Sequence, residues 1–328
     1  MILGIDIAKD KFDIALCQDN QVIASGQFDN RSAGFKKLSK WLRKKADQSA
    51  GSGTRQVWAC LEATGRYGDA LALYLYEQGH QVSMVNPARI KKYAESKLQR
   101  NKTDKPDARL IADFCRTQKP VLWTPPPLER RQLQEMVRRR NALVQEQTRE
   151  KNRLQSGLES NIVQESIRVN LDFLKEQIAK LEDQIQAHIN QHPSLKRDHE
   201  LLISIKGIGA KTAAIILGEL PQVDRFDNSG QVVAYGGLSP QQHQSGSSVH
   251  KKTKLTKMGN QRLKTTLYFP ALTAIKCNPI IIKQSARLAE KGKEKMVIVG
   301  AAMRKLLQLA YGVLKSGQPF DPDYATKS

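Results

Sequence analysis

Four carboxylates in the first third of the chain could do metal-assisted chemistry together: Asp6, Glu62, Asp104 and Asp107. Asp6 closes the apolar run Met1-Ile-Leu-Gly-Ile-Asp6, and Glu62 closes Val57-Trp-Ala-Cys-Leu-Glu62 just before Ala63-Thr-Gly65. Asp104 and Asp107 stand three apart in Arg100-Asn-Lys-Thr-Asp-Lys-Pro-Asp-Ala-Arg109. A fold that brings both strand ends beside the third segment gathers several acidic oxygens. Oxygen-only clusters suit Mg²⁺, and Mg²⁺ serves phosphate chemistry. Each residue also has an ordinary reading. Asp6 and Glu62 could be strand-end turn residues. Asp104 could cap a helix with Asp107 at its third position and Pro106 in the first turn. The two readings are compatible, because a helix start can hold ligands rigidly.

A second segment, Leu201-Leu-Ile-Ser-Ile-Lys-Gly-Ile-Gly-Ala-Lys-Thr-Ala-Ala-Ile-Ile216, places Gly207 and Gly209 between two apolar helical runs. This reads as a helix-hairpin-helix. Its glycines let backbone N–H groups approach a phosphate at the second helix's N-terminus, with Lys206 and Lys211 beside them. A plain helical hairpin is the alternative.

A third segment runs from Asn228 to Ala289 without a single Asp or Glu. It carries nine cations, among them Lys251, Lys252, Lys254, Lys257 and Arg262. Inside it lies Gly237-Leu-Ser-Pro-Gln-Gln-His-Gln-Ser-Gly-Ser-Ser-Val-His250. A serine in a cationic loop can attack a phosphodiester, because nearby cations favour the alkoxide and the charge it creates. Such a loop is more often just a flexible connector. Chemistry alone does not rank Ser239, Ser245, Ser247 and Ser248.

The elements that must position these groups follow from periodicity. Residues 1–127 read as α/β. Strands are expected at 2–7, 12–17 and 21–28, the last two joined by a turn at 18–20, and further strands at 57–62 and 81–85, the last closed by Asn86-Pro87. Helices are expected at 32–45, 67–78 and 107–116. An opening meander followed by alternating helices and strands suggests a ribonuclease-H-like mixed sheet rather than a doubly wound nucleotide fold. Trp123-Thr-Pro-Pro-Pro127 is a stiff boundary. Residues 128–199 read as helical. Ile167, Leu171, Leu174, Ile178, Leu181, Ile185 and His188 alternate spacings of four and three, a heptad seam for a coiled coil or a helical hairpin. Pro193 ends that segment. Residues 200–328 form a third, mostly helical unit, with helices at 226–235, at 260–274 with a kink at Pro270, and at 293–315.

Composition sets the class of partner. The chain has 328 residues with 53 Lys and Arg against 32 Asp and Glu, a net charge of +21. Such an excess favours a polyanion through counterion release. No apolar run reaches the length of a membrane span, and the opening residues read as a strand rather than a signal peptide. Cys17, Cys60, Cys115 and Cys277 form no CxxC pair and read as reduced core residues of a cytosolic protein.

In this order, the segments resemble the DEDD transposases of bacterial insertion sequences, the bridge-RNA-guided serine recombinases. The landmarks are Gly4-Ile-Asp-Ile-Ala-Lys9, Glu62-Ala-Thr-Gly65, Asn86-Pro87, Asn101-Lys-Thr-Asp-Lys-Pro-Asp-Ala-Arg109 and Gly207-Ile-Gly209. Ser245-Gly-Ser-Ser-Val249, Lys257-Met-Gly-Asn260 and Met303-Arg-Lys305 complete the set. The resemblance covers essentially the whole chain. It implies a RuvC-like domain whose tetrad Asp6, Glu62, Asp104 and Asp107 holds Mg²⁺, and a transposase domain with Ser245 as nucleophile. It further implies a coiled coil joining protomers, and a homodimer pairing into a tetramer with the carboxylates of one subunit facing the serine of another. The implied partners are donor and target DNA and a non-coding guide RNA encoded by the element, in the bacterial cytoplasm at the nucleoid.

Three other readings compete: a metal nuclease or junction resolvase using water, an actin-like sugar kinase or ATPase, and a nucleic-acid scaffold without catalysis. The second is disfavoured because Ile7-Ala-Lys9, rather than a Gly/Thr/Ser phosphate turn, follows Asp6.

Overall fold

A computed structural model of the chain describes residues 1–19, 21–48, 56–63, 66–97, 108–241, 244–245, 249–250, 254–256 and 258–323. For residues 46–48, 66, 241, 244, 245, 249, 250 and 254 the description covers the backbone alone. The chain divides into two compact units, Met1–Pro125 and Pro126–Ser328.

The first unit opens with the antiparallel meander β1 (Ile2–Ile7), β2 (Lys11–Gln18) and β3 (Gln21–Asp29). After α1 (Ser32–Gln48) come β4 (Trp58–Glu62), α2 (Arg66–Glu77), β5 (Gln81–Val85), α3 (Pro87–Ser96) and α4 (Ala108–Gln118). The sheet order is β3-β2-β1-β4-β5, with β4 parallel to both β1 and β5. This mixed sheet is consistent with the ribonuclease-H-like expectation. Strand alternation gives it two buried faces. Leu3, Ile5 and Ile7 pack with Ala59 and Leu61 against Phe35, Leu38 and Leu42 of α1 and Leu71 and Leu75 of α2. On the opposite face, Cys60 and Val85 pack with Ile90 of α3 and with Leu110, Ile111, Phe114 and Cys115 of α4.

Asn86-Pro87 does more than close β5. Asn86 Oδ1 accepts from Ala88 N at 2.8 Å, and Pro87 takes the first turn of α3, a helix the hydrophobic spacing did not announce.

The second unit is helical: α5 (Leu128–Leu154), α6 (Asn161–Gln191), α7 (Pro193–Ile203), α8 (Ala210–Glu219), α9 (Ser229–Tyr235), α10 (Gln261–Thr266), α11 (Tyr268–Cys277), α12 (Pro279–Glu290) and α13 (Lys295–Ser316). Among the described residues four two-residue strands interrupt it: β6 (Pro240–Gln241), β7 (Gln244–Ser245), β8 (Val249–His250) and β9 (Lys254–Leu255). Leu133 and Val137 of α5 and Ile185 and Ile189 of α6 share one core with α7 to α13. Residues 128–199 and 200–328 therefore meet in a common interior.

The heptad seam of α6 faces α5 of the same chain. Ile167, Leu174 and Ile185 are buried there, and Arg140 of α5 reaches across to Glu182 of α6 at 2.6 Å. Within one chain the seam is thus a helical hairpin.

The break expected at Pro270 falls at Leu267, between α10 and α11. Proline lacks an N–H and its ring clashes with the carbonyl four residues back, so the helix restarts with Pro270 inside its first turn. Of the cysteines expected in the core, Cys60 and Cys115 are buried, Cys17 is partly so, and Cys277 is exposed. Among the described residues α13 alone has the length and composition to cross a membrane, yet Val299, Met303, Leu306, Leu307 and Ala310 are buried in the second unit's core.

Candidate active site

Asp6 and Glu62 come together as the sequence implies. Strands β1 and β4 are parallel with Ile5 registered on Leu61, so the next step along both strands brings Asp6 level with Glu62. Both side chains lie on the α4 face of the sheet, two residues beyond Gly4 and Cys60 respectively. Glu62 is 8% exposed. Burial, and then the charge of Asp6, raise its carboxyl above the usual range. A divalent cation between the two would reverse that penalty. Across the antiparallel pair, Asp13 stands opposite Asp6 and accepts from Gln27 Nε2 at 2.9 Å.

Asp104 and Asp107 lie outside the described residues. The helix that follows them is well placed, however. A Cβ on Gly4 would lie 2.0 Å from the carbonyl oxygen of Ala108, so α4 starts directly against β1 on the face that carries Asp6. On its outer side α4 is tied to α3. Tyr93 donates to Asp113 at 2.7 Å, and Lys97 and Arg116 pair with the same carboxylate at 3.0 and 2.7 Å. Burial opposes ionisation of Asp113, but these three hydrogen bonds outweigh it and bring the carboxyl to about 2. Among the described residues no three His, Cys, Asp or Glu side chains gather as a metal site. The oxygen donors Asp6 and Glu62 do fit a hard cation.

The glycine hairpin is built between α7 and α8. Gly207 has φ +105°, and a Cβ there would lie 2.7 Å from the Ala274 side chain, so glycine serves both conformation and packing. Asn278 Nδ2 donates to Lys206 O at 3.0 Å and braces the turn. Gly209 caps α8 and has open space around it. Lys206 is exposed. Lys211 pairs with Glu182 at 2.7 Å, and Arg140 pairs with the same carboxylate. Burial opposes ionisation of Glu182, yet hydrogen bonds from Lys211 and Arg140 outweigh it and lower its pKa.

The serine-bearing segment leaves the helices at Gly237 and returns at Gly259. Two short ladders hold it: Pro240 and Gln241 pair with Leu255 and Lys254, and Gln244 and Ser245 pair with His250 and Val249. Ser245 is therefore on β7, while Ser247 and Ser248 lie outside the described residues. So do Lys251, Lys252 and Lys257, and only the backbone of Lys254 is described. Arg262 is exposed on α10, whereas Lys264 donates to Thr256 O at 3.1 Å at the loop's base.

Two features escaped the sequence reading. Phe269 is 73% exposed on α11, two turns before the exposed Lys276 and so on the same helical face, in the stretch that lacks acids. Glu219, by contrast, is 1% exposed. Arg138 grips its carboxylate from Nε at 2.8 Å and Nη2 at 3.0 Å. The signal for Glu219 was present, since it is a lone acid in the apolar run from Ala213 to Leu220.

Paired carboxylates on a mixed sheet, followed by a cationic helical unit, suit an enzyme that rearranges DNA. The comparisons with known proteins give the class as transposase. Residues 3–162 match a family described as "Transposase", and residues 199–286 match "Transposase IS116/IS110/IS902 family". The chain is 34% identical over 324 residues to the pilin gene-inverting protein of Moraxella bovis, covering 97% of each chain. The corresponding protein of Moraxella lacunata matches to the same extent. A probable family 20 transposase of Pseudomonas aeruginosa is 26% identical over 259 residues, 68% of this chain and 73% of that one. The chain belongs to the IS110 family of transposases.

Proposed function

We propose that this transposase exchanges strands between donor and target DNA through a covalent phosphoserine link, with Ser245 as nucleophile and Asp6, Glu62, Asp104 and Asp107 as the acidic set. The observation that carries the metal half is the matched position of Asp6 and Glu62, side by side on adjacent parallel strands with α4 across the same face. Asp6 and Glu62, joined by Asp104 and Asp107, would hold Mg²⁺, which when bound stabilises charge on a reacting phosphate. For Ser245 the support is its place on β7, in a cation-rich loop whose two ends are pinned together.

The covalent step balances without a co-reactant. Ser245 Oγ attacks a backbone phosphorus, the Oγ–P bond forms and the P–O3′ bond breaks, and the serine proton passes to the departing 3′ oxygen. The freed 3′-OH of one strand then attacks the phosphoserine of the other duplex and releases Ser245. Each phosphodiester lost is replaced by another, so ATP is not required. Inversion of a pilin gene and transposition, the actions named for the relatives, are both consistent with such an exchange.

Guidance by an element-encoded RNA is the reading implied by the resemblance described above. It accords with a protein that reads shape and backbone charge while base pairing supplies sequence. Assembly of a homodimer into a tetramer accords with an apolar stripe left uncovered on α6, where Ile162, Val169 and Phe173 are 84%, 63% and 56% exposed.

The test is a denaturing gel of protein, flanking RNA, labelled donor and target DNA, and Mg²⁺. A labelled protein–DNA adduct that vanishes in Ser245→Ala is the expected result. Cleavage without adduct, unchanged by that substitution, would instead establish a nuclease that uses water.

A further inference from the structure

The base of the serine-bearing loop rests on a buried polar cluster that the reaction above does not use. Gly237 and Gly259 have φ of +67° and +108°, and a Cβ on Gly259 would lie 2.5 Å from Gly237 N and 2.7 Å from Tyr235 O. The two backbones therefore touch and form a narrow neck through which the loop leaves and re-enters. Asn260, the next residue, donates its backbone N–H to Tyr235 O at 2.7 Å. Its Nδ2 donates to Glu219 Oε2 at 3.0 Å and to Glu219 O at 3.2 Å. Its Oδ1 accepts from Leu263 N at 3.1 Å and so caps α10. Tyr235 adds its own hydroxyl to Glu219 O at 3.1 Å.

Stability alone is a poor explanation for this arrangement. Glu219 is the last residue of α8, where a negative charge opposes the helix dipole. Its carboxylate is fully enclosed and needs Arg138, from the distant helix α5, to neutralise it. A buried ion pair seldom outperforms apolar packing in stability, and its best-attested use is to select one geometry. Here the geometry selected is that of Asn260, and through it the neck.

We propose that Glu219, Arg138 and Asn260 are positioning residues that fix the direction in which the Gly237–Gly259 neck presents the serine-bearing loop to DNA. The proposal rests on Ser245 as the nucleophile.

Asn260→Ser separates the two jobs of Asn260. Serine still caps a helix but has no donor in reach of Glu219. The expected result is a loss of adduct formation of about 100-fold, the usual penalty for misplacing a reacting group by about an ångström. Nucleic-acid affinity and melting temperature should stay near wild type. Amide hydrogen exchange should speed up at Asn260 and Leu238, on the two sides of the neck, and not in α8. Wild-type adduct yield, or unchanged exchange at the neck, overturns the proposal.

A second construction guards against misfolding. Arg138→Lys keeps the charge that neutralises Glu219 but gives up the two-point grip that orients its carboxylate. Adduct yield should fall while the protein stays folded, and wild-type adduct yield in this variant also overturns the proposal. Ser245→Ala is run in parallel. If adduct persists in that variant the nucleophile has been misassigned, and the exchange rates at the neck still judge the positioning cluster by themselves.

Discussion

Gly4 on β1 and Ala108 at the start of α4 are in backbone contact, with room for a hydrogen and for nothing larger. A Cβ on Gly4 would stand 2.0 Å from Ala108 O and 2.5 Å from Ala112 N. This approach sets how close α4 starts to the strand bearing Asp6. Neither atom met is the end of a flexible side chain, so Gly4→Ala must move the helix. Overpacking of this kind costs about 1–3 kcal/mol. Urea unfolding of the variant should show that loss, and strand exchange should fall with it. Wild-type stability would mean that α4 shifts freely and that the contact does not fix the site.

Glu62 is buried beside another carboxylate, an arrangement that favours binding over stability. Its raised pKa means that the folded state holds the proton more tightly than the unfolded one. The ionised group therefore destabilises the fold above the ordinary carboxylate range, and the penalty shrinks as pH falls. Without divalent cations at neutral pH, Glu62→Gln should raise the melting temperature, and the gain should shrink as pH falls. Adding Mg²⁺ should stabilise the natural protein and leave Glu62→Gln unchanged. Equal stabilisation of both would place the cation elsewhere.

The sheet was legible because its two faces follow a strict period of two. Leu3, Ile5 and Ile7 alternate with Gly4 and Asp6, and Ala59 and Leu61 alternate with Cys60 and Glu62. The pairing of Asp6 with Glu62 followed from parallel strands of matched ends. What a single strand or helix cannot announce is its tertiary partner. The α6 heptads suited a coiled coil or a helical hairpin alike, and spacing could not choose between them because α5, the helix that covers them, has its apolar spacing diluted by Arg138, Arg139 and Arg140. Lys211 is read as a phosphate ligand from its place beside the glycines, whereas its ion-pair partner Glu182 lies in a different helix and could not be foreseen. Glu219 stood out as a lone acid in an apolar run, but its partners Arg138 and Asn260 lie in separate segments and could not be read from it.

The two apolar faces of α6 should behave differently. Leu174 and Leu181 point toward their own chain, Leu174 being 5% exposed. Leu174→Asp with Leu181→Asp should therefore unfold the hairpin. Ile162→Asp with Phe173→Asp changes only exposed positions, where substitutions usually shift stability by less than about 0.5 kcal/mol. Light scattering should show the second pair folded and reduced in mass. An unchanged mass would assign subunit contacts to another surface.

Phe269 offers an exposed ring in a setting without acids. Stacking of a base on such a ring is worth about 1–3 kcal/mol. Phe269→Ala should weaken binding of single-stranded RNA or DNA by about ten-fold in fluorescence anisotropy, with no change in melting temperature. Equal affinity would leave the ring to a protein partner.

Glu182 holds two cations, Lys211 and Arg140, beside the N-terminus of α8. Since its pKa is lowered in the folded state, the stability it contributes is complete above the ordinary carboxylate range and is lost as pH falls through its own lowered value. Glu182→Gln should remove that acid-dependent component. It should also release Lys211, which is 67% exposed, to meet a phosphate. One further phosphate contact steepens the dependence of log affinity on log salt by about 0.9 for duplex DNA. Titrations from low to moderate salt should therefore show Glu182→Gln binding duplex more tightly at low salt and falling away more steeply. The same slope in both proteins would mean that Lys211 serves the hairpin and not the DNA, and the phosphate contact would then fall to Lys206 and the open backbone at Gly209.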